Sequence, residues 1–275
     1  QQADASQKRI NEFLEHIPEI ESGTIVPEHQ EGRIEFKNVS LTYEDTNIEA
    51  LKNVSFRVEK GETLAILGKT GSGKTSILNL IARMYDTTQG SVTIDKVPIK
   101  EHQLQTLRRG IGFVPQDPFL FSDSIGNNIK FGIETATQEA IETAAKNADV
   151  HKNIIQFKEK YNTVLGERGI TVSGGQKQRI SIARAIIKDP KILLFDDCLS
   201  AVDTETEEKI LKNIKRLSKD KTTLIVSHRI SSVKNADTIL VLDNGRILEA
   251  GTHESLRKSN GYYNTLYNQQ LLEKE

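Results

Sequence analysis

The chain has 275 residues, room for one large domain or two small ones. Its 37 Lys and Arg offset 38 Asp and Glu to a net charge of −1, so composition gives no argument for nucleic acid or an anionic membrane surface. The single cysteine, Cys198, excludes an internal disulfide and a Cys-rich metal site and fits a reducing compartment, and no apolar run approaches the ~20 residues of a membrane helix.

The sequence opens at Gln1 without an initiator Met or a signal sequence, which fits a piece of something longer. Residues 1–17 pattern as a surface helix, with Ile10, Phe13, Leu14 and Ile17 on one side. Pro18 to Gly32, polar and acidic with Gly23 and Pro27, reads as a linker. From Arg33 the rhythm is strand-like, through Ile34, Phe36, Val39, Leu41 and Tyr43, and a second run covers Ala50 to Val58.

Next comes Leu64-Ala65-Ile66-Leu67, then Gly68-Lys69-Thr70-Gly71-Ser72-Gly73-Lys74-Thr75, then a helix carrying Ile77, Leu80, Ile81 and Met84. The middle segment matches the phosphate-binding P-loop, G-x-x-x-x-G-K-[ST]. Backbone N–H groups wrap a polyphosphate only in conformations that side chains block, which accounts for Gly71 and Gly73. The helix that follows adds its unpaired N–H groups and dipole. Lys74 would reach the outer phosphates and the Thr75 hydroxyl would hold Mg²⁺. A glycine-rich turn with no ligand is the competing reading; the strand before and helix after argue against it.

Ser91–Ile99 reads as a hairpin turning at Asp95-Lys96, and Ile111–Val114 as a brief strand ended by Pro115. About 118–172 reads as a mostly helical insertion, with Ala140, Ile141, Ala144, Ala145, Ala148 and Val150 in helical rhythm. The α/β alternation then resumes: a helix at about Gln176–Lys188, a strand at Ile192–Phe195, a helix at about Glu205–Ser218 and a strand at Thr222–Val226. A hairpin, Thr238–Leu248, turns at Asp243-Asn244-Gly245.

Two further segments carry chemistry. The strand before Asp196-Asp197 ends in two carboxylates, where a second Mg²⁺ contact beside a P-loop is expected. Asp196 is the candidate; a simple helix cap is the alternative for such a residue. Ser173-Gly174-Gly175-Gln176 opens a helix and forms a second anion site. Two phosphate-binding helix starts in one chain suggest nucleotide sandwiched between two copies of the domain.

With these motifs the chain, from about residue 31 on, resembles the nucleotide-binding domain of ATP-binding cassette (ABC) transporters of the exporter type. Residues 1–30 resemble the link from the last membrane helix of such an exporter. The resemblance implies an α/β fold: a P-loop NTPase core with a mixed, mainly parallel sheet, an antiparallel β subdomain and an inserted helical subdomain at about 118–172. It implies ATP and Mg²⁺ as ligands, with Tyr43 at the adenine-stacking position and Gly68, Gly71, Ser72, Gly73, Lys74, Thr75 and Ser76 at the phosphates. Gln116 matches the Q-loop glutamine that touches Mg²⁺ or water, and Asp196 the second metal contact. Ser173, Gly174, Gly175 and Gln176 match the signature that caps the γ-phosphate of the opposite domain, with Val172 where the family usually has Leu. Asp203 closes the D-loop Ser200–Asp203, and His228 matches the switch histidine. Without the family, Tyr43 reads equally well as an outward strand residue and His228 as a loop histidine. Tyr161 to Gly169 resembles the exporters' X-loop. His16, His29, His102, His151 and His253 lack metal-ligand spacing, which predicts surface positions, and Cys198 reads as a small core residue.

One position departs from the family. Active members carry Glu after the strand-end Asp, to polarise the attacking water; here it is Asp197. The shorter carboxylate falls roughly 1–1.5 Å short, and an error of that size can cost on the order of 100-fold. The pattern therefore resembles the slow half of a heterodimeric exporter, whose intact signature completes the site of a Glu-bearing partner. A homodimer that tolerates Asp and a non-hydrolytic, ATP-binding regulatory half are the alternatives. The implied partners are the transporter's transmembrane domain and a second nucleotide-binding domain at the cytoplasmic face of the cell membrane. A soluble ABC ATPase acting on DNA or ribosomes is disfavoured by the missing basic surplus, and no nucleic acid is expected. A small-molecule P-loop kinase has no use for Ser173–Gln176.

Overall fold

The computed structural model describes residues 2–15, 18–133, 135–166 and 172–272. It begins with α1 (Gln2–Leu14), whose Ile10, Phe13 and Leu14 are exposed. Residues 22–32 are strapped to the domain. The Gly23 and Ile25 N–H groups donate to His102 O and Glu101 O at 3.1 and 2.8 Å, and Gln103 N–H returns a bond to Ile25 O at 2.8 Å. This strap covers His102, which is fully buried; the surface position expected for it is wrong. Its Nε2 lies 3.3 Å from Ile94 O.

Strands β1 (Ile34–Tyr43) and β2 (Ile48–Val58) pair antiparallel; β3 (Thr63–Gly68) leads to α2 (Lys74–Ile81). The helix stops earlier than periodicity predicts: Arg83 has φ 48, and Met84 lies outside the helix, half exposed. Strands β4 (Gln89–Ile94) and β5 (Val97–Pro98) complete a four-stranded antiparallel sheet in the order β2-β1-β4-β5. After α3 (Leu104–Arg109) and β6 (Ile111–Val114) come the short helices α4 (Ile125–Ile129), α5 (Gln138–Asn147) and α6 (His151–Ile154). The chain returns through α7 (Gly174–Ile187), β7 (Ile192–Asp196), α8 (Thr204–Leu217), β8 (Thr222–Ser227) and α9 (Ile230–Val233). It finishes with the hairpin β9 (Thr238–Asp243) and β10 (Arg246–Gly251), then α10 (His253–Lys258) and α11 (Tyr262–Leu272).

The second sheet has the order β10-β9-β3-β8-β7-β6, parallel except for the β9–β10 edge. Its interior strands are apolar throughout because both faces are covered. Alternation along them sorts the side chains. Leu64, Ile66, Leu194, Leu224 and Leu240 join α2 and the antiparallel sheet in one core. Phe195, Leu193 and Ile225 face the other way and pack with the helical segment, where Ile141, Ala144, Ala145, Ala148 and Ile154 meet Ile180 of α7. Ala65, Leu67, Ile239 and Val241 form a third core with Leu256 and Tyr263. The fold is the mixed α/β arrangement the sequence implied, and all the strand C-termini that carry chemistry open at one end of the parallel sheet.

Candidate functional site

A cleft of about 380 Å³ lies at that end. It is lined from one side by Tyr43, from the loop after β3 by Gly71, Gly73, Lys74, Thr75 and Ser76, and from β7 by Asp196 and Asp197. Gln116, just after β6, and His228, just after β8, complete it.

The loop is shaped by glycine. Gly73 sits at φ 99, and a Cβ there would lie 2.4 Å from Ala50 O; Gly71 sits at φ 80 with nothing within 4 Å of a Cβ position. The first glycine is demanded by a neighbour, whereas the second leaves a hollow. The Ser72 hydroxyl, buried without a hydrogen-bond partner, lies on the Gly68 side of the loop, 2.7 Å from a Cβ position there, and does not line the cleft. The buried Lys74 ammonium donates to Gly68 O at 2.8 Å and Lys69 O at 2.7 Å, arching under its own loop. Burial pushes its pKa down, against the pull of the Asp197 and Asp196 charges. A glycine-shaped loop leading into a helix start, with a buried cation beneath it, fits a polyphosphate.

Thr75 Oγ1 donates to Asp196 Oδ1 across 3.2 Å. Burial raises the Asp196 pKa most, the Thr75 bond works against it, and the neighbouring Asp197 charge raises it further. A hydroxyl and a carboxylate side by side are hard oxygen donors suited to Mg²⁺. Among the described residues no group of three or more His, Cys, Asp or Glu could hold a metal alone.

Asp197 has φ 41, a left-handed conformation that Asp tolerates better than most residues, and its N–H donates to Val226 O at 2.9 Å. This turn swings its carboxylate towards the cleft, where Oδ1 is 3.5 Å from the Ser227 hydroxyl. The Tyr43 hydroxyl lies 2.9 Å from Ser76 Oγ, and its ring meets Tyr85 edge-on at 4.9 Å between centroids. Tyr43 is therefore turned into the cleft.

The structure does not bring the remaining candidates into this cleft. Ser173 caps α7: its hydroxyl accepts from Gln176 N–H at 3.3 Å, and Gln176 Oε1 accepts from Ser173 N–H at 3.0 Å. Ser173 and Gly174 are exposed. Gly175 packs against the 201 carbonyl, where a Cβ would lie 3.0 Å from Ala201 O. Asp203 caps α8 through Thr206 N–H at 3.0 Å, and that bond holds its pKa down. The helix start at 173–176 and the 200–203 segment thus share a separate, open surface. Cys198 is buried and its thiol pKa is pushed up by desolvation. Of the exporter-like segment beginning at Tyr161, residues 167–169 lie outside the described residues; His16 does too.

The hairpin turn at Asn244-Gly245, found in the sequence as a turn, also lines the cleft, a role that sequence reasoning missed. Gly245 N–H donates to Ser72 O at 3.2 Å, and Gly245 O accepts from Lys52 N–H at 2.8 Å. Like Gly73, Gly245 faces Ala50 O, at 2.8 Å from a Cβ position. The turn itself was readable; its contact with the loop after β3 was not.

Residues 51–200 match the family model described as ABC transporter. Over 271 residues the chain is 47% identical to YknU, an uncharacterized ABC transporter ATP-binding protein of Bacillus subtilis (strain 168), covering 98% of this chain and 46% of that protein. It is 44% identical over 273 residues to YheI of the same organism, a probable multidrug resistance ABC transporter ATP-binding/permease protein, covering 99% of this chain and 47% of the relative. A solved bacterial Atm1-family ABC exporter with ATP bound superposes with a TM-score of 0.91 at 36% identity, over 98% of this chain and 47% of that one. The chain spans about half the length of the relatives it matches.

Proposed function

Because this chain belongs to the ABC transporter family, we propose that it is the ATP-binding, ATP-hydrolysing domain of an exporter. The observation that carries the reading is convergence: Lys74, Thr75, Gln116, Asp196, Asp197 and His228, drawn from four different strand ends, line one cleft. In this reading adenine stacks on Tyr43, and the N–H groups from Gly71 to Ser76 hold the phosphates. The Lys74 ammonium neutralises their outer charge. Thr75, Asp196 and Gln116 hold Mg²⁺, which supplies charge neutralisation on phosphate oxygens when bound. Asp197 accepts the proton of the attacking water, and His228 holds the terminal phosphate by a hydrogen bond. Domains of similar sequence occur within ATP-binding/permease proteins roughly twice as long, which supports a transmembrane domain as partner and a place at the cytoplasmic face of a membrane.

Ser173–Gln176 and Asp203 form an open surface away from the cleft, and a second domain seated there would receive them at its own nucleotide. ATP-driven pairing of two such domains would then move the membrane helices. In that pair, Asp197 makes this chain's own site the slow one, because its carboxylate is one methylene shorter than Glu. The partner is accordingly a chain that keeps Glu. A fully active pair of identical chains is the second reading, favoured by the completeness of every other part of the cleft. An ATP-binding regulatory half that does not hydrolyse is the third.

Mg-ATP turnover by the chain, its Asp197→Glu and Asp197→Asn variants, and mixtures with a Glu-bearing partner domain distinguishes them. The proposal expects Asp197→Glu to be faster by roughly 10²-fold and Asp197→Asn to lose the residual rate. Equal rates for Asp and Glu sink the slow-site assignment and leave the identical pair. Failure of the chain to bind ATP at all sinks the whole reading.

A further inference from the structure

The last helix reaches the cleft from behind. At its first turn, Tyr262 lies under the Lys69 ammonium, 5.8 Å from its ring centroid, so this end of α11 leans on the loop after β3. Tyr263 is fully buried in the core shared by β3 and β9, with its hydroxyl 2.7 Å from His253 Nδ1. These two contacts fix the helix axis. At the far end, Gln270 meets the backbone on both sides of Arg229. Its Oε1 accepts from Ile230 N–H at 2.8 Å, and its Nε2 donates to His228 O at 2.8 Å. The amide has only one workable orientation, because the N–H at 230 can only donate and the carbonyl at 228 can only accept.

The Arg229 side chain is anchored elsewhere. Its guanidinium donates to Glu207 Oε2 at 3.1 Å and to the Ser200 and Val202 carbonyls at 2.8 and 3.4 Å. Glu207 is 1% exposed and also accepts from the Ser231 and Ser232 hydroxyls. The loop that presents His228 is therefore gripped twice: its backbone by α11, and its side chain at 229 by α8 and the 200–202 segment. Of the two peptide planes that flank the His228 Cα, the amide holds the 228–229 plane through the 228 carbonyl, and it also holds the next plane along, so the backbone leaving His228 is fixed in direction.

We propose that Gln270 is the positioning residue for His228, and that α11 serves as the brace that sets the switch histidine against the phosphate loop. The proposal rests on the reading of His228 as a participant in ATP hydrolysis. Without the Gln270 amide, Ile230 N–H becomes an unpaired donor in the first turn of α9 and the 228 carbonyl loses its partner. The imidazole then leaves its reactive position, and displacements of about 1 Å reduce rates on the order of 100-fold. Nucleotide binding is largely kept, because Gln270 does not line the cleft and the contacts proposed for Tyr43, Lys74 and the 71–76 N–H groups are untouched.

The test uses the 275-residue chain, γ-labelled ATP turnover, ATP affinity and thermal melting of four variants: Gln270→Ala, Gln270→Glu, His228→Ala and the Gln270→Ala/His228→Ala pair. Gln270→Ala should lower turnover about tenfold while ATP affinity stays within about twofold. Gln270→Glu keeps the acceptor for Ile230 but turns an oxygen onto the 228 carbonyl, and should fall at least as far; it carries the comparison if the alanine variant does not fold. In the His228→Ala background, Gln270→Ala should change the residual rate less than about twofold, since nothing is left to position. Wild-type turnover in both Gln270 variants, with His228→Ala impaired, overturns the proposal and leaves the reading of His228 standing. A loss that persists in full without His228 also overturns it, by assigning Gln270 to the frame of the domain. Wild-type turnover in His228→Ala overturns both.

Discussion

Thr75 and Asp196, 121 residues apart in the chain, face each other with the threonine hydroxyl 3.2 Å from the carboxylate oxygen. The contact joins the start of α2 to the end of β7, and it keeps a 4% exposed carboxylate partly satisfied in the apolar end of a buried strand. Burial nevertheless holds the Asp196 pKa above the usual carboxylate range. A carboxyl whose pKa rises on folding favours the folded state at acid pH; that contribution is lost as pH rises through the raised value, leaving a cost at neutral pH.

Asp196→Asn removes that cost. Its nucleotide-free melting temperature should rise by about 2 °C or more at neutral pH. The gain should shrink as pH falls through the raised Asp196 value and be gone below the ordinary carboxylate pKa, where the carboxyl is neutral in the folded and unfolded states alike. The same variant should lose the extra stabilisation that Mg²⁺ adds over ATP alone. Thermal melts across about pH 4–7, with and without Mg-ATP, check both; a lower melting temperature for the variant contradicts the first.

The two loop glycines should respond differently to a methyl group. Gly73→Ala forces a Cβ to within 2.4 Å of Ala50 O at φ 99 and should destabilise the fold by about 2 kcal/mol or more. Gly71→Ala meets no neighbour and should cost only about 1 kcal/mol for its backbone conformation. Yet it fills the hollow, so its nucleotide affinity should still fall sharply. Urea denaturation and nucleotide titration of the two variants separate packing from ligand cradle.

The helical segment has its own polar pivot. Fully buried Asn128 accepts from Phe121 N–H at 2.8 Å and donates to the Phe121 and Ser124 carbonyls, both at 3.0 Å. Arg184 of α7 closes the network on Asn128 O, Asn128 Oδ1 and Phe119 O, each at 2.8 Å. Burial brings its pKa down to about 10, so it remains charged at neutral pH. Asn128→Ala should cost about 2–4 kcal/mol by orphaning these groups. Arg184→Lys, which keeps charge but not the fork, should cost about 1–2 kcal/mol. Denaturant melts read the magnitudes, and faster amide exchange at 119–131 localises them.

The strands β3, β6, β7 and β8 were readable to within a residue or so, since four- to six-residue apolar runs bounded by Gly, Pro or Asp have few other fates. That Lys74, Thr75 and Asp196 meet in one cleft was readable because a G-x-x-x-x-G-K-[ST] loop between strand and helix, and an apolar strand ending in carboxylates, are short segments with fixed spacing. Contacts between distant segments were not. His102 looks like a surface residue until residues 22–25 are laid across it, and Met84 fits the helical period although the chain turns left-handed at Arg83. Gln270 carries no local signal, because its partners lie 40 and 42 residues upstream.

The Ala50 carbonyl, pressed by Gly73 from one side and Gly245 from the other, makes the antiparallel sheet and the phosphate loop a single casting. Tyr43 belongs to the first and Lys74 to the second. For a nucleotide held as proposed, the span from base to outer phosphate is thus gauged before any ligand arrives. In that reading the cleft would act as a caliper: a molecule too short for its span would touch the Tyr43 jaw or the Lys74 jaw without closing the gap between them.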